Sequence, residues 1–186
     1  MLVLAAARQE LGDLDGEVVG VGPIVAAATA AALLARHRPT RVLLLGTCSA
    51  YARGPEVGSV VVSRRVGLSY GVAAMGLGYV PRAPGAVDAD PDMVESLAAP
   101  VVDVLTVGAV TTDATLGRRL ADGWEVEHLE AFGVAFACKE AGVPFVACLG
   151  VASRVGPDAH VQWLTHRDEA QQAARAVARR LLAPRG

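Results

Sequence analysis

The sequence has few cysteines and little excess of either charge, and both shortages exclude classes of protein. Its 186 residues include 3 cysteines, which are widely spaced and lie in apolar surroundings: Cys48, Cys138 and Cys148. Without a Cys-X-X-Cys pair or histidines at matching spacing, neither a disulfide framework nor a zinc site is predicted. The formal net charge of −2 gives no electrostatic reason to expect nucleic acid or an anionic membrane as partner. A small molecule is therefore the expected partner.

The chain also lacks an apolar run of the roughly 18 to 20 residues that a membrane-spanning helix requires. Its opening, MLVLAAARQE, has no basic region ahead of the apolar residues and becomes charged at Arg8. We therefore expect a buried first strand here, not a signal peptide, and a cytoplasmic protein. Hydrophobic residues make up 53% of the sequence and charged residues 19%, which indicates one compact domain over residues 1–186.

Strand-like and helix-like runs alternate along the chain. The runs LVLAAA, GEVVGVG, RVLLLGT, SVVVSRR, VLTVGAVTT and PFVACLGVAS have the composition of strands, whereas PIVAAATAAALLARH and residues 127–141 are typical of helices. Continuous apolar strands belong in a sheet that is covered on both faces. The sequence therefore predicts an α/β fold, a three-layer α/β/α sandwich with a mixed central sheet.

Two segments are rich in glycine, and neither predicts a dinucleotide site. The motif GVGPIV, which begins at Gly20, has Val25 in place of the third glycine of a nucleotide fingerprint. We interpret it as a tight turn into the Ala-rich helix, so no nicotinamide cofactor is expected. Residues 67–100 are rich in both glycine and proline. They predict an irregular excursion, which is either a binding loop or surface padding.

A few polar residues interrupt the apolar pattern and are candidates for a ligand site. GTCSAY, residues 46–51, follows an apolar strand and so falls at the sheet edge where α/β proteins bind ligands. Glu130 lies on an apolar helical face, either as a first-turn glutamate stabilised by the helix dipole or as a carboxylate that binds two ligand hydroxyls. Glu10, just after the first strand, has the same two interpretations. His160 and His166 have no Ser or Cys partner and are interpreted as surface histidines.

Together these segments resemble the nucleoside phosphorylase and nucleosidase superfamily, which includes purine nucleoside phosphorylases, methylthioadenosine/adenosylhomocysteine nucleosidases and futalosine hydrolases. The resemblance runs from LVLAAARQEL through VLLLGTCSAYARGPEVGSVVVSRRV. It is most specific in VEHLEAFGVAFACKEAGVPFVACLGVASRVG, which is similar to the family's Val-Glu-X-Met-Glu signature, helix and final catalytic turn. The turn GVASRVG is closest to the futalosine hydrolase form.

The resemblance implies a role for several positions of this chain. Glu130 would bind the ribose 2′ and 3′ hydroxyls with Leu129 against the sugar, and Glu10 would orient and deprotonate the attacking water. Thr47 and Cys48 would line the sugar and nucleophile side. The residues that would face the base, on a strand end, are Val110, Thr111 and Thr112.

Two departures from the family pattern bear on the chemistry. Leu44 replaces the arginine of phosphorylases, which leaves a buried phosphate without its cation, so water is the expected nucleophile. Arg8 is a candidate substitute, which keeps phosphorolysis as an alternative. Ser153 replaces the aspartate with which nucleosidases protonate the departing purine. A serine donates one hydrogen bond but is no acid near neutral pH, so nucleoside binding without turnover is a further alternative.

The sequence therefore predicts hydrolysis of the N-glycosidic bond of a purine nucleoside, futalosine-like or methylthioadenosine-like. Ser153 favours a futalosine-like substrate, because a 6-oxopurine leaves more readily than adenine without a strong acid. Such a substrate would imply a role in menaquinone biosynthesis. The resemblance further implies a homo-oligomer that needs no cofactor or metal.

Overall fold

The computed structural model describes residues 1–183, in which strands and helices alternate as predicted. The strands are β1 Leu2–Ala5, β2 Glu17–Val18, β3 Val42–Ala50, β4 Val60–Leu68, β5 Val87–Asp88, β6 Val101–Thr106, β7 Val126–His128 and β8 Phe145–Arg154. The helices are α1 Arg8–Leu11, α2 Pro23–His37, α3 Gly71–Ala74, α4 Pro91–Leu97, α5 Ala114–Leu120, α6 Ala131–Ala141 and α7 Ala159–Leu182. No helix among these residues is both long and apolar enough to cross a membrane.

Five strands of the mixed sheet close into a ring. β3 pairs in parallel with β8, β8 antiparallel with β4, β4 in parallel with β6, β6 in parallel with β7, and β7 antiparallel with β3. β1 and β2 extend the sheet beside β3, and β5 pairs with β4. The predicted mixed sheet flanked by helices is confirmed, and the short strand β7 joins the ends of β3 and β6.

The apolar run of β3 is buried on both faces of the sheet, as expected for a covered strand. Leu44 belongs to the core cluster that includes residues of α2 and α6. Leu43 and Leu45, which point to the opposite face, belong to the cluster that includes residues of α4 and α7. All three leucines are at most 1% exposed. Helices therefore cover both faces of the sheet, which leaves its strand ends as the accessible place for a ligand.

The glycine turn before α2 has the predicted role. Gly20 and Gly22 have positive φ angles of 81° and 91°, and Pro23 occupies the first turn of the helix. α2 then packs against α6 so closely that a Cβ at Gly133 would overlap the backbone carbonyl of Pro23. This contact fixes the Gly22 amide beside the start of α6.

Two predictions of local structure were wrong, whereas most of segment 67–100 is irregular as predicted. The predicted helix over residues 127–141 begins only at Ala131, because residues 126–128 pair with β3 and β6 as strand β7. The predicted strand VLTVGAVTT ends at Thr106. The irregular segment 67–100 includes β5 and α4, where the Asp90 carboxylate caps the helix by accepting a hydrogen bond from Met93 N. The last helix, α7, ends at Leu182, and residues 184–186 lie outside the described range.

Candidate active site

A cavity of about 420 Å³ opens at the carboxyl ends of β1, β3 and β8. This edge is where α/β folds bind ligands. Seven of the nine residues predicted to form the site line the cavity: Glu10, Thr47, Cys48, Val110, Leu129, Glu130 and Ser153. The other two, Thr111 and Thr112, do not line it, and Thr111 is buried. The structure therefore brings residues from both halves of the chain to one place, while their catalytic roles stay predictions.

Glu130 is the N-cap of α6 and not a residue of its first turn or its apolar face. The side chain is 6% exposed, and Oε1 accepts a hydrogen bond of 2.8 Å from the backbone N–H of Gly22. The glycine turn is thus the protein partner of this carboxylate. Within residues 1–183 it is the one hydrogen-bond donor to that carboxylate, so several lone pairs remain for ligand hydroxyls.

His128 lies beside Glu130 as a neutral imidazole. Its Nδ1 accepts hydrogen bonds of 3.1 Å from the backbone N–H groups of both Glu130 and Ala131, so Nδ1 carries no proton. Burial lowers the pKa of the imidazole, which opposes the carboxylate's tendency to raise it. Glu130 Oε2 is 3.3 Å from Nδ1, but two acceptors at this distance do not form an ion pair. The ring proton is therefore on Nε2.

Glu10 is a carboxyl group whose pKa lies near neutrality. Its Oε2 accepts hydrogen bonds from the backbone N–H groups of Ala6, at 2.9 Å, and Ala7, at 3.2 Å. Burial raises the pKa to about 7; the charge of Glu130 also raises it, while amides including that of Thr47 lower it. A buried carboxyl with this pKa suits a general base that works near pH 7.

Glu127 is a third buried carboxyl in the cavity, and the sequence analysis did not identify it. Oε1 accepts from Thr111 N at 2.9 Å and Oε2 from the Tyr51 hydroxyl at 3.2 Å, while burial raises its pKa. Thr111 was expected to contact the base of the ligand, but in the structure its backbone amide holds the Glu127 carboxylate instead. The segment that holds Thr111 and Thr112 follows the end of β6 as a loop, not a strand end, and Gly156 N anchors it on Thr111 O.

Ser153 is fully buried near the end of β8, and its hydroxyl pairs with that of Ser49 on β3. The two Oγ atoms are 2.7 Å apart, and both residues line the cavity. A register shift after Cys48 leaves Ala152 as the extra residue, which aligns Ser153 with Ser49. One hydroxyl donates to the other, so the pair has one proton left for a ligand.

The first turns of α7 form a further wall of the cavity. Trp163 Nε1 donates a hydrogen bond of 2.9 Å to Thr47 Oγ1, which fixes the indole against β3. His160 stacks on this indole at 6.0 Å between ring centroids, and the Arg167 guanidinium lies 4.9 Å from its centroid. His160 is exposed, as predicted for a surface histidine, but it also lines the cavity, whereas His166 does not line it.

The cations near the cavity bear on the choice of nucleophile. Leu44 is fully buried in the core, and the exposed Arg8 points its guanidinium toward Gly16 O at 3.4 Å without lining the cavity. Arg8 therefore does not replace the arginine of phosphorylases. Among residues 1–183, Arg167 is the one arginine or lysine that lines the cavity. It lies on α7, among more numerous acidic groups.

The chain belongs to the phosphorylase superfamily, whose family model matches residues 14–183. The relatives it resembles include the futalosine hydrolase of Thermus thermophilus, 31% identical over 182 residues, which cover 90% of this chain and 80% of the relative. A 5′-methylthioadenosine/S-adenosylhomocysteine nucleosidase of Exiguobacterium sp. is 30% identical over 162 residues, or 77% and 69% of the two chains. The family resemblance of the sequence is confirmed.

Solved structures have the same fold. The 5′-methylthioadenosine/S-adenosylhomocysteine nucleosidase of Neisseria meningitidis, in complex with methylthio-immucillin-A, superposes with a TM-score of 0.82 over 97% of each chain, at 18% identity. The futalosine hydrolase of Helicobacter pylori superposes with a TM-score of 0.83 over 97% of this chain and 95% of that chain, at 11% identity. At such low identities the superpositions establish the fold alone.

Proposed function

We propose that the protein hydrolyses the N-glycosidic bond of a purine nucleoside. The observation that carries this proposal is the pair of buried carboxyls in one cavity, Glu10 and Glu130. The two differ in environment: the pKa of Glu10 is raised to about 7, whereas Glu130 is oriented by the Gly22 amide and by its place at the N-terminus of α6. One carboxyl is thus suited to proton transfer and the other to holding hydroxyls. The relatives, which are nucleosidases and a futalosine hydrolase, support the same assignment.

The reaction needs one base, one water molecule and one leaving group. The water gives a proton to the ionised Glu10, and its oxygen forms a bond to C1′ of the ribose while the bond from C1′ to the base nitrogen breaks. The electron pair of that bond leaves with the base. Glu130 accepts hydrogen bonds from the 2′ and 3′ hydroxyls, and its negative charge stabilises the oxocarbenium-like sugar of the transition state. The products are the free base, which takes up a proton equivalent to the one that the water gave to Glu10, and a free sugar that keeps its 5′ substituent.

The leaving base requires a donor, and the cavity offers a weak one. Ser49 and Ser153 together provide one hydroxyl proton, which stabilises a departing base but does not protonate it. This favours a 6-oxopurine nucleoside of the futalosine type over an adenine nucleoside. Glu127 lies on β7 directly opposite Ser49 of β3, so a carboxyl group is the neighbour of the serine pair in the sheet. The pKa of this carboxyl is raised.

Phosphorolysis is the second candidate, and Arg167 is the observation that favours it. A guanidinium at the cavity wall is able to pair with phosphate. Against it, Arg167 already lies over Trp163 and beside Asp168 at 3.6 Å, and three buried carboxyls would repel the anion. Water therefore remains the preferred nucleophile.

The function is tested with futalosine, methylthioadenosine, adenosylhomocysteine and inosine, each incubated with the protein with and without phosphate. Release of the free base and the free sugar without phosphate supports hydrolysis, and Glu10→Gln should abolish it. Base released only with phosphate, together with the 1-phosphate of the sugar, would identify a phosphorylase. Binding in calorimetry without cleavage of any nucleoside would leave a binding protein and refute the proposal.

We further propose that the protein forms a homo-oligomer through an apolar surface beside the cavity. The turn and first residues of α2 expose apolar side chains there: Val21 is 63%, Ile24 82% and Val25 52% exposed, and Val21 also lines the cavity. A second copy that covers them would remove apolar surface from water at the mouth of the site. Light scattering after size exclusion tests this, because a monomeric mass at micromolar concentration would refute it.

A further inference from the structure

Two polar groups from distant parts of the chain face one small space above Gly46. A Cβ atom at Gly46 would lie 2.8 Å from His128 Nε2 and 3.3 Å from Glu10 Oε1. Gly46 lies inside β3, and its φ angle is not among the positive ones, so the backbone does not itself require glycine. Glycine matters here because it has no side chain. The space that a Cβ would occupy stays open for an atom within hydrogen-bond reach of both groups.

The side chain of His128 is built to present a hydrogen-bond donor to that space. Both hydrogen bonds that His128 makes within residues 1–183 are at Nδ1, so the proton on Nε2 has no protein acceptor there. The imidazole is only 2% exposed, and the residue lines the cavity. No buried side-chain nitrogen or oxygen among the described residues lacks a partner, so this N–H opens onto the cavity, where water is the smallest molecule that can accept its hydrogen bond. Nε2 therefore points to a bound water or ligand atom.

We propose that His128 Nε2–H and Glu10 Oε1 hold the attacking water between them, above Gly46. This inference rests on the proposed hydrolysis and makes His128 a positioning residue for the nucleophile. The water accepts one hydrogen bond from Nε2–H and donates one to Oε1, which leaves a lone pair free for C1′. During attack its proton passes to Glu10, while His128 keeps its own proton throughout.

The position of the water agrees with the stereochemistry of the sugar. In a β-nucleoside the 2′ and 3′ hydroxyls lie on the face opposite the base, and this is also the face from which water displaces the base. Glu130, which would hold those hydroxyls, is close enough to Glu10 for its charge to raise the Glu10 pKa. It also borders His128, whose Nδ1 is bound by the Glu130 amide. Sugar and water are therefore oriented by neighbouring groups at the start of α6.

A purely structural role is the competing explanation, since His128 also satisfies two amides at the start of α6. Two variants separate the roles. In His128→Asn the side-chain carbonyl is placed to accept from the amides in the manner of Nδ1, but no N–H reaches the space. In His128→Gln the amide N–H reaches as far as Nε2 does, but the acceptor for the helix amides is lost.

If His128 positions the water, His128→Asn should keep the melting temperature and KM while kcat falls about 10²-fold, the effect expected for a misplaced reactant. His128→Gln should lose stability yet retain a larger share of kcat than the asparagine variant. The reverse order, with full kcat in His128→Asn and loss only in His128→Gln, would assign His128 to helix capping and overturn the proposal.

A second measurement does not depend on turnover. In a high-resolution crystal structure of the unliganded protein, a water should lie within about 3.2 Å of both His128 Nε2 and Glu10 Oε1, and Gly46→Ala should displace it. No water at this position in a protein that cleaves nucleosides would refute the proposal and leave hydrolysis standing. An ordered water in a protein that cleaves none of them would support the water site and refute the proposed function.

Discussion

The pH dependence of hydrolysis follows from the environment of Glu10. A general base must be ionised, so kcat/KM should rise as pH rises through the pKa of Glu10 and level off above it. Burial raises that pKa from 4.5 to about 7. The ionised fraction then increases about tenfold between pH 6 and pH 8, whereas an ordinary carboxyl would already be ionised throughout. The raised pKa therefore predicts a steep acid limb in a range that is easily measured.

Substitution of Glu130 tests whether its charge helps to raise the pKa of Glu10 and so sets the position of the acid limb. Its negative charge is one of the causes that raise the pKa of Glu10. Glu130→Gln removes that charge, so the pKa of Glu10 should fall and the limb should move to lower pH. Glu127→Gln is the matched control, because Glu127 is a buried carboxyl of the same cavity that is not among the causes of the Glu10 shift.

The assay is the initial rate of base release from the preferred nucleoside, at substrate concentrations well below KM, across pH 5 to 9 in buffers of constant ionic strength. This rate reports kcat/KM and therefore the pKa values of the free enzyme. A flat profile in the parent protein would refute Glu10 as a base with a raised pKa. A limb that stays in place in Glu130→Gln, or that moves equally in Glu127→Gln, would refute the electrostatic coupling between Glu10 and Glu130.

Three further predictions concern single positions. Glu130→Gln should lose about 2 to 4 kcal/mol of transition-state stabilisation for ribonucleosides and little for 2′-deoxy substrates, so unchanged discrimination in kcat/KM would make Glu130 structural. Ser153→Asp should accelerate adenine-nucleoside hydrolysis, in the range of about 10² to 10⁴ for a general acid, with the gain declining as pH rises; a folded variant with no gain would remove Ser153 from the base side. Gly133→Ala should cost about 1 to 3 kcal/mol in urea unfolding because α2 must shift. Gly85→Ala, where a Cβ meets nothing within 4 Å, is its control, and equal stabilities would refute the packing argument.

The elements that the sequence predicted well are those whose burial is complete. The runs that became β3 and β8 are apolar without interruption because helices cover both sheet faces, and this is visible in composition alone. Pro23 and Gly142 likewise mark a helix start and a helix end through their own backbone preferences. Glu10 and Glu130 were candidates from their pattern, the family resemblance gave them roles and added Ser153, and the structure places all three at one cavity.

The missed residues depend on contacts between distant parts of the chain. Val-Glu-His-Leu-Glu fits a helix by pattern, and only pairing with β3 and β6 makes its first three residues a strand that brings Glu127 and His128 into the cavity. Trp163 contacts Thr47, 116 positions earlier in the chain. The one local signal was a tryptophan near the start of a helix, with His160 about one turn before it and Arg167 about one turn after it on the same face.

The closed ring of strands also has a consequence for how the protein is made. Its members come from residues 42–154, and α7, which supplies Trp163 and covers Leu43 and Leu45, comes later still. Pairings between such distant segments are slow to form, because a long loop must close before any contact compensates for its entropy. Because β3 and β4 are synthesised before β8 and α7, their apolar faces remain uncovered until those later elements have been made. The cavity therefore lacks its α7 wall until that helix has left the ribosome, and until then the uncovered apolar strands are prone to aggregation.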